Sequence, residues 1–278
     1  LNGFVFPLLQ PMKELRWVLS NLRENKDQLK IESFDEMMKD LLASVRRVLK
    51  RPNIHNLTTD EVFAIVGYTF ENLYSLGNSI YNKLSEVLRM QNPSNADSEI
   101  KTTNARHSLL PWKGYLFYLM KGLEKIPPKP GKVFRGVPFK TQEERDQMAR
   151  RYQKGRLVEW FGFSSSSTNE GVAMNFIHRD GPFGILFEAD LHYSRDVKDY
   201  SAHPDEDELL ILPNTSVFVV DQRFGSLFLF FLLFNLFLFN LVINNKKLTS
   251  SRSSPIAGKP GIIKIVLSEL NFNSTFFF

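Results

Sequence analysis

The dipeptide Pro127-Pro128 separates two different hydrophobic patterns along the chain. Before it, apolar residues recur every three or four positions, which is the spacing of a helix with one buried face. After it, short segments alternate apolar and polar residues, as between Ile185 and Leu191, which is typical of half-buried strands. Because proline interrupts a helix, the change of pattern predicts a helical part followed by a strand-rich part. We therefore expect an α+β fold.

Three helices are predicted before Pro127. The first follows the capping-box sequence Ser33 to Glu36 and should run to about Lys50. The second follows another capping box, Thr58 to Glu61, and the third carries the apolar residues between Trp112 and Leu123. We expect most aromatic residues of this part to lie in a core.

The strand-rich part should begin near Gly131. The segments predicted as strands are residues 132–135, 157–164, 184–191, 208–212, 215–220 and 261–268. A short helix is predicted from Glu170 to Ile177. The sequence thus predicts a helical N-terminal lobe over residues 1–130 and a strand-rich core over residues 131–278.

The composition is that of a folded protein with a mild positive charge. With 278 residues, of which 43% are hydrophobic, the chain can bury a core in one domain or two joined lobes. Its net charge of +5 suits an anionic small molecule and is far from the clustered basic faces of nucleic-acid-binding proteins. Without cysteine, it forms no disulfides or thiolate metal sites. Residue 1 is Leu, so we expect the true N-terminus to be missing. The lack of cysteines and of a visible signal peptide slightly favours a soluble cytoplasmic location.

Four carboxylates precede an apolar strand in the segment Ser201 to Pro213. If they belong to the strand, Glu206 and Glu208 point to one face, and Asp205 and Asp207 to the other. Two aligned carboxylates can divide the work of a reaction, because one can stabilise a developing positive charge while the other holds or deprotonates a nucleophile. An isolated Glu-x-Glu is more often a solvated acidic turn, so this interpretation needs support from elsewhere in the chain.

Two upstream segments give that support. Lys132 to Val137 predicts a short strand that carries Arg135 and Gly136. An arginine there can offer two donors to a phosphate, and the glycine lets a ligand approach the backbone. Ser164 to Thr168 follows an aromatic stretch, and its hydroxyls can orient a carboxylate. Alone, Arg-Gly usually marks a turn and a serine run a loop, but the order of the three motifs is much more specific.

This order of motifs resembles the arginine-specific mono-ADP-ribosyltransferases, whose signature is Arg, Ser and Glu. The resemblance covers about residues 55–223 and 258–270. It implies that residues 131–278 are an NAD-binding catalytic core, with the two-sheet mixed β structure of the ADP-ribosyltransferase type. By position, Arg135 resembles the arginine that contacts the phosphates of NAD. Gly136 resembles the residue whose backbone meets the nicotinamide carboxamide.

The serine and glutamates are carried over in the same way. Ser165 resembles the serine that orients the catalytic glutamate, although the family's middle threonine is Ser166 here and the serine run allows a register one position away. Glu208 resembles the catalytic glutamate that binds the nicotinamide-ribose hydroxyl. Glu206 resembles the upstream glutamate that is associated with arginine as the acceptor.

The resemblance implies an enzyme that transfers ADP-ribose from NAD, with NADP as an alternative donor, to arginine side chains of proteins. No metal is implied. Cleavage of the nicotinamide–ribose bond develops an oxocarbenium-like cation that a carboxylate stabilises, and an arginine guanidinium needs a carboxylate to orient and deprotonate it. Two other functions stay open. They are an NAD glycohydrolase, in which water replaces the acceptor, and a non-enzymatic membrane-anchored scaffold with a degenerate NAD pocket.

Aromatic and histidine residues give weaker indications. Phe176 or Phe183 can stack on nicotinamide, as an aromatic residue does in the family, but a core position is favoured for both. The five histidines lack the spacing of metal ligands, and none is assigned to chemistry.

Residues 224–247 form an apolar low-complexity segment that does not fit this organisation. Ser226 to Ile243 is long enough to be a candidate membrane span. It lies, however, between the predicted strands 215–220 and 261–268, which should pair in one sheet. We interpret the segment as non-native coding sequence, such as an unrecognised intron, and expect membrane association only if it is translated and inserts.

Overall fold

The computed structural model describes residues 31–70, 80–90, 108–224 and 261–269 of the chain. The α-helices in these ranges are α1 (Ile31–Val48), α2 (Thr59–Thr69), α3 (Ile80–Met90), α4 (Lys113–Lys125), α5 (Gln142–Ala149) and α6 (Glu170–Asp180). The strands are β1 (Gly131–Phe139), β2 (Leu157–Trp160), β3 (Ser164–Ser167), β4 (Phe183–Leu191), β5 (Arg195–Asp196), β6 (Glu208–Ile211), β7 (Thr215–Phe224) and β8 (Ile262–Glu269). Short 3₁₀ helices cover Leu110–Trp112, Lys198–Tyr200 and Pro204–Glu206.

The capping box at the start of α2 is confirmed. The backbone N–H of Glu61 donates to Thr58 Oγ1 at 3.3 Å, and the N–H of Thr58 donates to Glu61 Oε2 at 2.8 Å. The same Glu61 carboxylate, nearly buried, accepts from Lys125 Nζ at 2.6 Å. This pair joins the first turn of α2 to the last turn of α4.

The capping box predicted at Ser33 is wrong. The helix α1 already begins at Ile31, whereas an N-cap residue has non-helical backbone angles. Ser33 therefore lies inside the first turn. The helix ends at Val48, two residues before the predicted Lys50.

Helices α1 to α4 enclose one apolar core. Its fully buried side chains include Leu41, Ile65, Leu84 and Leu119, one from each helix. The strand-rich part also contributes side chains to it, namely Phe163, Val197, Tyr200 and Leu210. The helices are therefore packed directly against the end of the sheet that carries the acidic motif.

The strands form a mixed sheet in the order β2-β7-β8-β4-β1-β3-β6-β5. Of its strand pairs, β4 and β8 run parallel, and all other neighbours are antiparallel. Among the described residues, the backbone pairing between the first five strands and the last three is limited to Phe134 and Ser167, of β1 and β3. The predicted α+β fold is confirmed, and the two expected sheets appear as two parts joined at this narrow point.

The serine run forms a strand, β3, although runs of serine are more common in loops. Ser164 to Ser167 pair with Ile211 to Glu208 of β6, and Ser166 Oγ donates to the carbonyl of Leu209 at 2.8 Å. The apolar strand β6 supplies backbone partners, and these override the weak strand propensity of serine. The predicted strand 157–164 is accordingly two strands, β2 and β3, and the short strand β5 was not predicted.

The strands on either side of the low-complexity segment do pair. Residues of β7 from Val217 to Phe224 lie antiparallel to Glu269 to Ile263 of β8, as expected from the sequence. The rest of the predicted insert, residues 225–247, lies outside the described residues, and so does the span candidate 226–243. In the part of the chain that is described, no helix has the length and apolar character to cross a membrane.

Candidate active site

A cavity of about 900 Å³ lies where the helices meet β1, β3 and the turn before β6. Its wall includes all five residues that the sequence singled out, which are Arg135, Gly136, Ser165, Glu206 and Glu208. They come from segments up to 73 positions apart, so the fold brings together the three motifs that the sequence analysis connected.

Arg135 lies in the middle of β1 with its guanidinium fixed on two sides. Its Nη1 donates to the backbone carbonyl of Ser165 at 2.7 Å, and its Nη2 donates to the hydroxyl of Tyr81 at 2.7 Å. Burial opposes the charge, but the nearby phenol groups of Tyr81 and Tyr68 outweigh it and raise the pKa of Arg135. The cavity therefore contains a permanent cation.

Tyr81 is a site residue that sequence reasoning missed. It lies in α3, 54 positions before Arg135, and the sequence shows it only as one apolar position of a helix. Only the packing of α3 beside β1 reveals its contact with the guanidinium.

Packing requires a glycine at position 136, whether or not its backbone contacts a ligand. A Cβ atom at this position would lie 2.0 Å from the backbone oxygen of Ala173 in α6, and 3.0 Å from Ile177 Cγ1. Glycine thus allows α6 to lie directly on β1. Because Ala173 also lines the cavity, this close packing sets the shape of one wall.

The acidic motif is a turn followed by a strand, and not a continuous strand. Pro204–Glu206 forms a 3₁₀ helix, and Asp207 has left-handed backbone angles, with φ 47° and ψ 48°. The predicted alternation from Asp205 to Glu208 is therefore wrong, because the extended backbone begins only at Glu208. Glu206 and Glu208 still line the same cavity, while Asp207 forms an ion pair with Lys198.

Glu208 is the buried carboxylate of the pair, with 5% of its surface exposed. Its Oε2 atom lies 3.3 Å from Ser201 Oγ, and Ser201 is fully buried. Sequence reasoning named Ser201 only as the start of the acidic segment, because a lone serine seven residues from a glutamate carries no signal.

Ser165 lies beside Glu208 on the sheet rather than opposite to it. The residue that pairs with Glu208 is Ser167, whose hydroxyl donates to the backbone carbonyl of Glu206 at 2.8 Å. Ser165 pairs with Leu210, two positions further along, and so it shares the face of Glu208 as a diagonal neighbour.

Tyr68 in α2 brings an unsatisfied hydroxyl to the cavity wall. The side chain is 1% exposed, and its hydroxyl makes no hydrogen bond of normal geometry with the described residues, although the Ser85 hydroxyl lies close to it. Burial, with Tyr81 and Glu208 nearby, raises the pKa of Tyr68 well above its usual value. The phenol therefore stays protonated at neutral pH and can donate a hydrogen bond.

Phe176 lies in the cavity wall and not in a core cluster, so the core position expected for it is wrong. It is half-buried, and the guanidinium of Arg179 lies 4.7 Å from the centroid of its ring. Phe183 is half-buried under Arg145, 5.5 Å from that guanidinium, and is not part of the cavity lining.

The sequence and the fold of this chain are similar to those of known ADP-ribosyltransferases. The family model for NAD:arginine ADP-ribosyltransferases matches residues 16–226. No curated protein sequence matches the chain. Among solved structures, HopU1 of Pseudomonas syringae pv. tomato, an ADP-ribosyltransferase, has a TM-score of 0.51 and 16% identity, with 77% of this chain and 78% of that chain covered.

Two further structures are similar at comparable levels. The type III effector XopAI from Xanthomonas axonopodis pv. citri has a TM-score of 0.50 and 14% identity, with 94% of this chain and 89% of that chain covered. The eukaryotic mono-ADP-ribosyltransferase ART2.2 has a TM-score of 0.49 and 14% identity, with 96% and 91% covered. At this identity, HopU1 and XopAI show a shared fold, whereas the family model covers well over half of the sequence. The chain therefore belongs to the NAD:arginine ADP-ribosyltransferase family.

Proposed function

We propose that this protein transfers ADP-ribose from NAD to arginine side chains of proteins and releases nicotinamide. Family membership makes it an NAD-dependent ADP-ribosyltransferase. Arginine as the acceptor is the further step of this proposal. The observation that supports it is that Arg135, a permanent cation, and the carboxylates Glu206 and Glu208 line one cavity.

The cavity suits NAD in size and in charge. Its volume of about 900 Å³ lies within the range of small-molecule sites. Arg135 uses two of its five N–H donors on Tyr81 and Ser165, so other donors of the same guanidinium can bind phosphate oxygens. We propose that Arg135 holds the diphosphate and that the backbone of Gly136 receives the nicotinamide carboxamide.

The proposed reaction exchanges one bond at the anomeric carbon of the ribose. The bond from this carbon to the nicotinamide nitrogen breaks, and nicotinamide leaves as a neutral base with the electron pair. The ribose then carries positive charge, which the buried carboxylate of Glu208 stabilises more strongly than water would. Ser165, on the same face of the sheet, is proposed to orient Glu208.

Arginine as the acceptor rests on Glu206. A guanidinium nitrogen attacks the anomeric carbon and must lose one proton. The very high pKa of the guanidinium makes this loss unfavourable without a base. Glu206 is less buried than Glu208 and lines the same cavity, so it can meet an acceptor that arrives from outside. We propose that Glu206 orients this guanidinium and takes its proton.

The test is to incubate the purified protein with NAD and agmatine, a small guanidinium compound, and to separate the products by liquid chromatography and mass spectrometry. We expect ADP-ribosyl-agmatine and nicotinamide in equal amounts. Free ADP-ribose alone, even at saturating agmatine, would indicate an NAD glycohydrolase. If the folded protein releases no nicotinamide, the enzymatic proposal is refuted.

A further inference from the structure

Glu208 lies among several serine hydroxyls, and the described contacts assign different roles to them. Ser167 is directly opposite on β3, but its proton goes to the backbone carbonyl of Glu206. The proton of Ser166 goes to the carbonyl of Leu209. The hydroxyl of Ser201, in contrast, lies within hydrogen-bond distance of the Glu208 carboxylate, at 3.3 Å from Oε2.

The direction of the Ser201 hydrogen bond follows from its other contact. The backbone N–H of His203 donates to Ser201 Oγ at 3.0 Å. A hydroxyl that accepts from this N–H still has its own proton to donate, and Glu208 Oε2 is the acceptor in reach. Ser201 is fully buried, so bulk water does not compete for the bond. Donation to a carboxylate favours its charged form.

The helical part of the molecule holds Ser201 in place. Arg51, just after α1, donates from Nη1 to the backbone carbonyls of Asp199 and Ser201, at 3.1 Å and 3.2 Å. Thr69, the last residue of α2, accepts from the backbone N–H of Ala202 at 2.9 Å. The segment before the acidic turn is thus fixed on both sides of Ser201 by residues about 130 to 150 positions earlier in the chain.

We propose that Ser201 is a positioning residue for Glu208, which keeps the carboxylate charged and oriented while Arg51 and Thr69 keep Ser201 in place. This inference rests on the role of Glu208 in the proposed function. The separation of 3.3 Å is long for a hydroxyl–carboxylate bond, and hydrogen bonds of this kind commonly shorten when substrate binds. Ser201 acts in addition to Ser165, the diagonal neighbour of Glu208 on β3.

The ionisable groups that share the cavity with Glu208 must be considered in any pH profile. They are Tyr68 from α2, Tyr81 and Arg89 from α3, Arg135 from β1, Lys140 just after β1, Arg179 and Asp180 from α6, and Glu206 from the acidic turn. The imidazole of His203 must be added, because the backbone N–H of this residue donates to Ser201. The arginines, the lysine and the tyrosines do not titrate in the acid range, so an acid limb of the profile reports on the carboxylates or on the His203 imidazole. Comparison of single substitutions at Glu208, Glu206, Asp180 and His203 shows which of these groups gives the limb.

The experiment uses Ser201→Ala in the full chain. The rate of nicotinamide release is measured with NAD and agmatine between about pH 4 and pH 8. We expect kcat to fall roughly tenfold or more, with little change in the KM for NAD, because the donor to the reacting carboxylate is lost. We also expect the acid limb of kcat to move to higher pH, because removal of a donor to the charged form raises the pKa of Glu208.

Ser194→Ala is the matched control. Ser194 is 2% exposed, and its hydroxyl donates to the backbone carbonyl of Lys129 at 2.7 Å, outside the cavity lining. It makes the same chemical change at a similarly buried site. We expect its kcat and its acid limb to match those of the wild type.

A folded Ser201→Ala protein with wild-type kcat and an unmoved acid limb would overturn the inference. If Ser201→Ala does not fold, Arg51→Met takes its place, because it keeps the hydroxyl but loosens its backbone. It should move the acid limb in the same direction by a smaller amount, and an unmoved limb would contradict the inference. Glu208→Gln is measured beside them. Retained activity there overturns the role of Glu208 and this inference together, whereas lost activity with an unaffected Ser201→Ala overturns the inference alone.

Discussion

Replacement of Gly136 by alanine should destabilise the protein through a clash with the backbone of α6. The new Cβ atom would lie 2.0 Å from the Ala173 oxygen, and Cβ contacts below 3.0 Å essentially never occur, so the helix must retreat by about 1 Å. The atom that blocks the new Cβ belongs to the backbone of α6. The same helix also packs closely on β4, because a Cβ atom at Gly184 would lie only 2.3 Å from the Ile177 side chain. Because the clash is with backbone atoms, a change of side-chain rotamer cannot relieve it.

We expect a loss of about 3 kcal/mol in the free energy of unfolding, at the upper end of the cost of inserting a methyl group into a packed interior. For a chain of this length, such a loss corresponds to a decrease of roughly 6 °C or more in the Tm. Because Gly136 and Ala173 both line the cavity, the KM for NAD should rise as well.

Urea denaturation and thermal unfolding measure the effect, with Gly162→Ala as the matched control. A Cβ at Gly162 would have its closest neighbours at 3.7 Å, in Ser85, and its φ lies outside the left-handed region. We expect the free energy of unfolding of this control to stay within about 1 kcal/mol of the wild type. If Gly136→Ala is as stable as Gly162→Ala, the reasoning from the close approach of α6 is refuted.

Two further substitutions test the contacts of the site and of the sheet. Tyr81→Phe removes the acceptor of Arg135 Nη2, so the KM for NAD should rise about tenfold with little change in Tm; an unchanged KM would show that Tyr81 does not position the guanidinium. Burial alone would raise the pKa of Glu188, but bonds from Lys132 and Lys264, at 2.6 Å and 2.7 Å, outweigh it and lower the pKa. The stability that this carboxylate contributes is therefore complete above its unfolded pKa of about 4.5 and disappears as the pH falls through the lower folded value. Glu188→Gln should be less stable than the wild type near pH 7 and equally stable in acid, and a difference that persists in acid would contradict this.

The features that could be predicted from the sequence depend on residues close together along the chain. The capping box of Thr58 and Glu61 spans four positions, and the alternation along β4 is visible in the residues of that strand. The division at residue 130 stays a prediction. The three motifs that line the cavity were identified because their order resembles a family, since each motif alone is common.

The features that were missed depend on contacts between distant residues or on unusual backbone angles. The serine run forms a strand because β6 supplies its hydrogen-bond partners. The turn at Asp207 depends on left-handed backbone angles, which the run of acidic residues does not predict. Tyr81 reaches Arg135 across 54 positions. Such contacts follow from how the helices pack on the sheet, which a pattern within one segment does not encode.

The central claim is tested most directly by measuring how much ADP-ribosyl-agmatine, free ADP-ribose and nicotinamide the wild type and three substituted proteins form. NAD and agmatine are supplied to the wild type, Glu208→Gln and Glu206→Gln, with Glu159→Gln as the control for loss of a carboxylate, because Glu159 is exposed on β2 outside the cavity lining. We predict ADP-ribosyl-agmatine from the wild type and from the control, loss of all nicotinamide release in Glu208→Gln, and a change from the adduct to free ADP-ribose in Glu206→Gln. Adduct formation by Glu208→Gln at the wild-type rate would contradict the account.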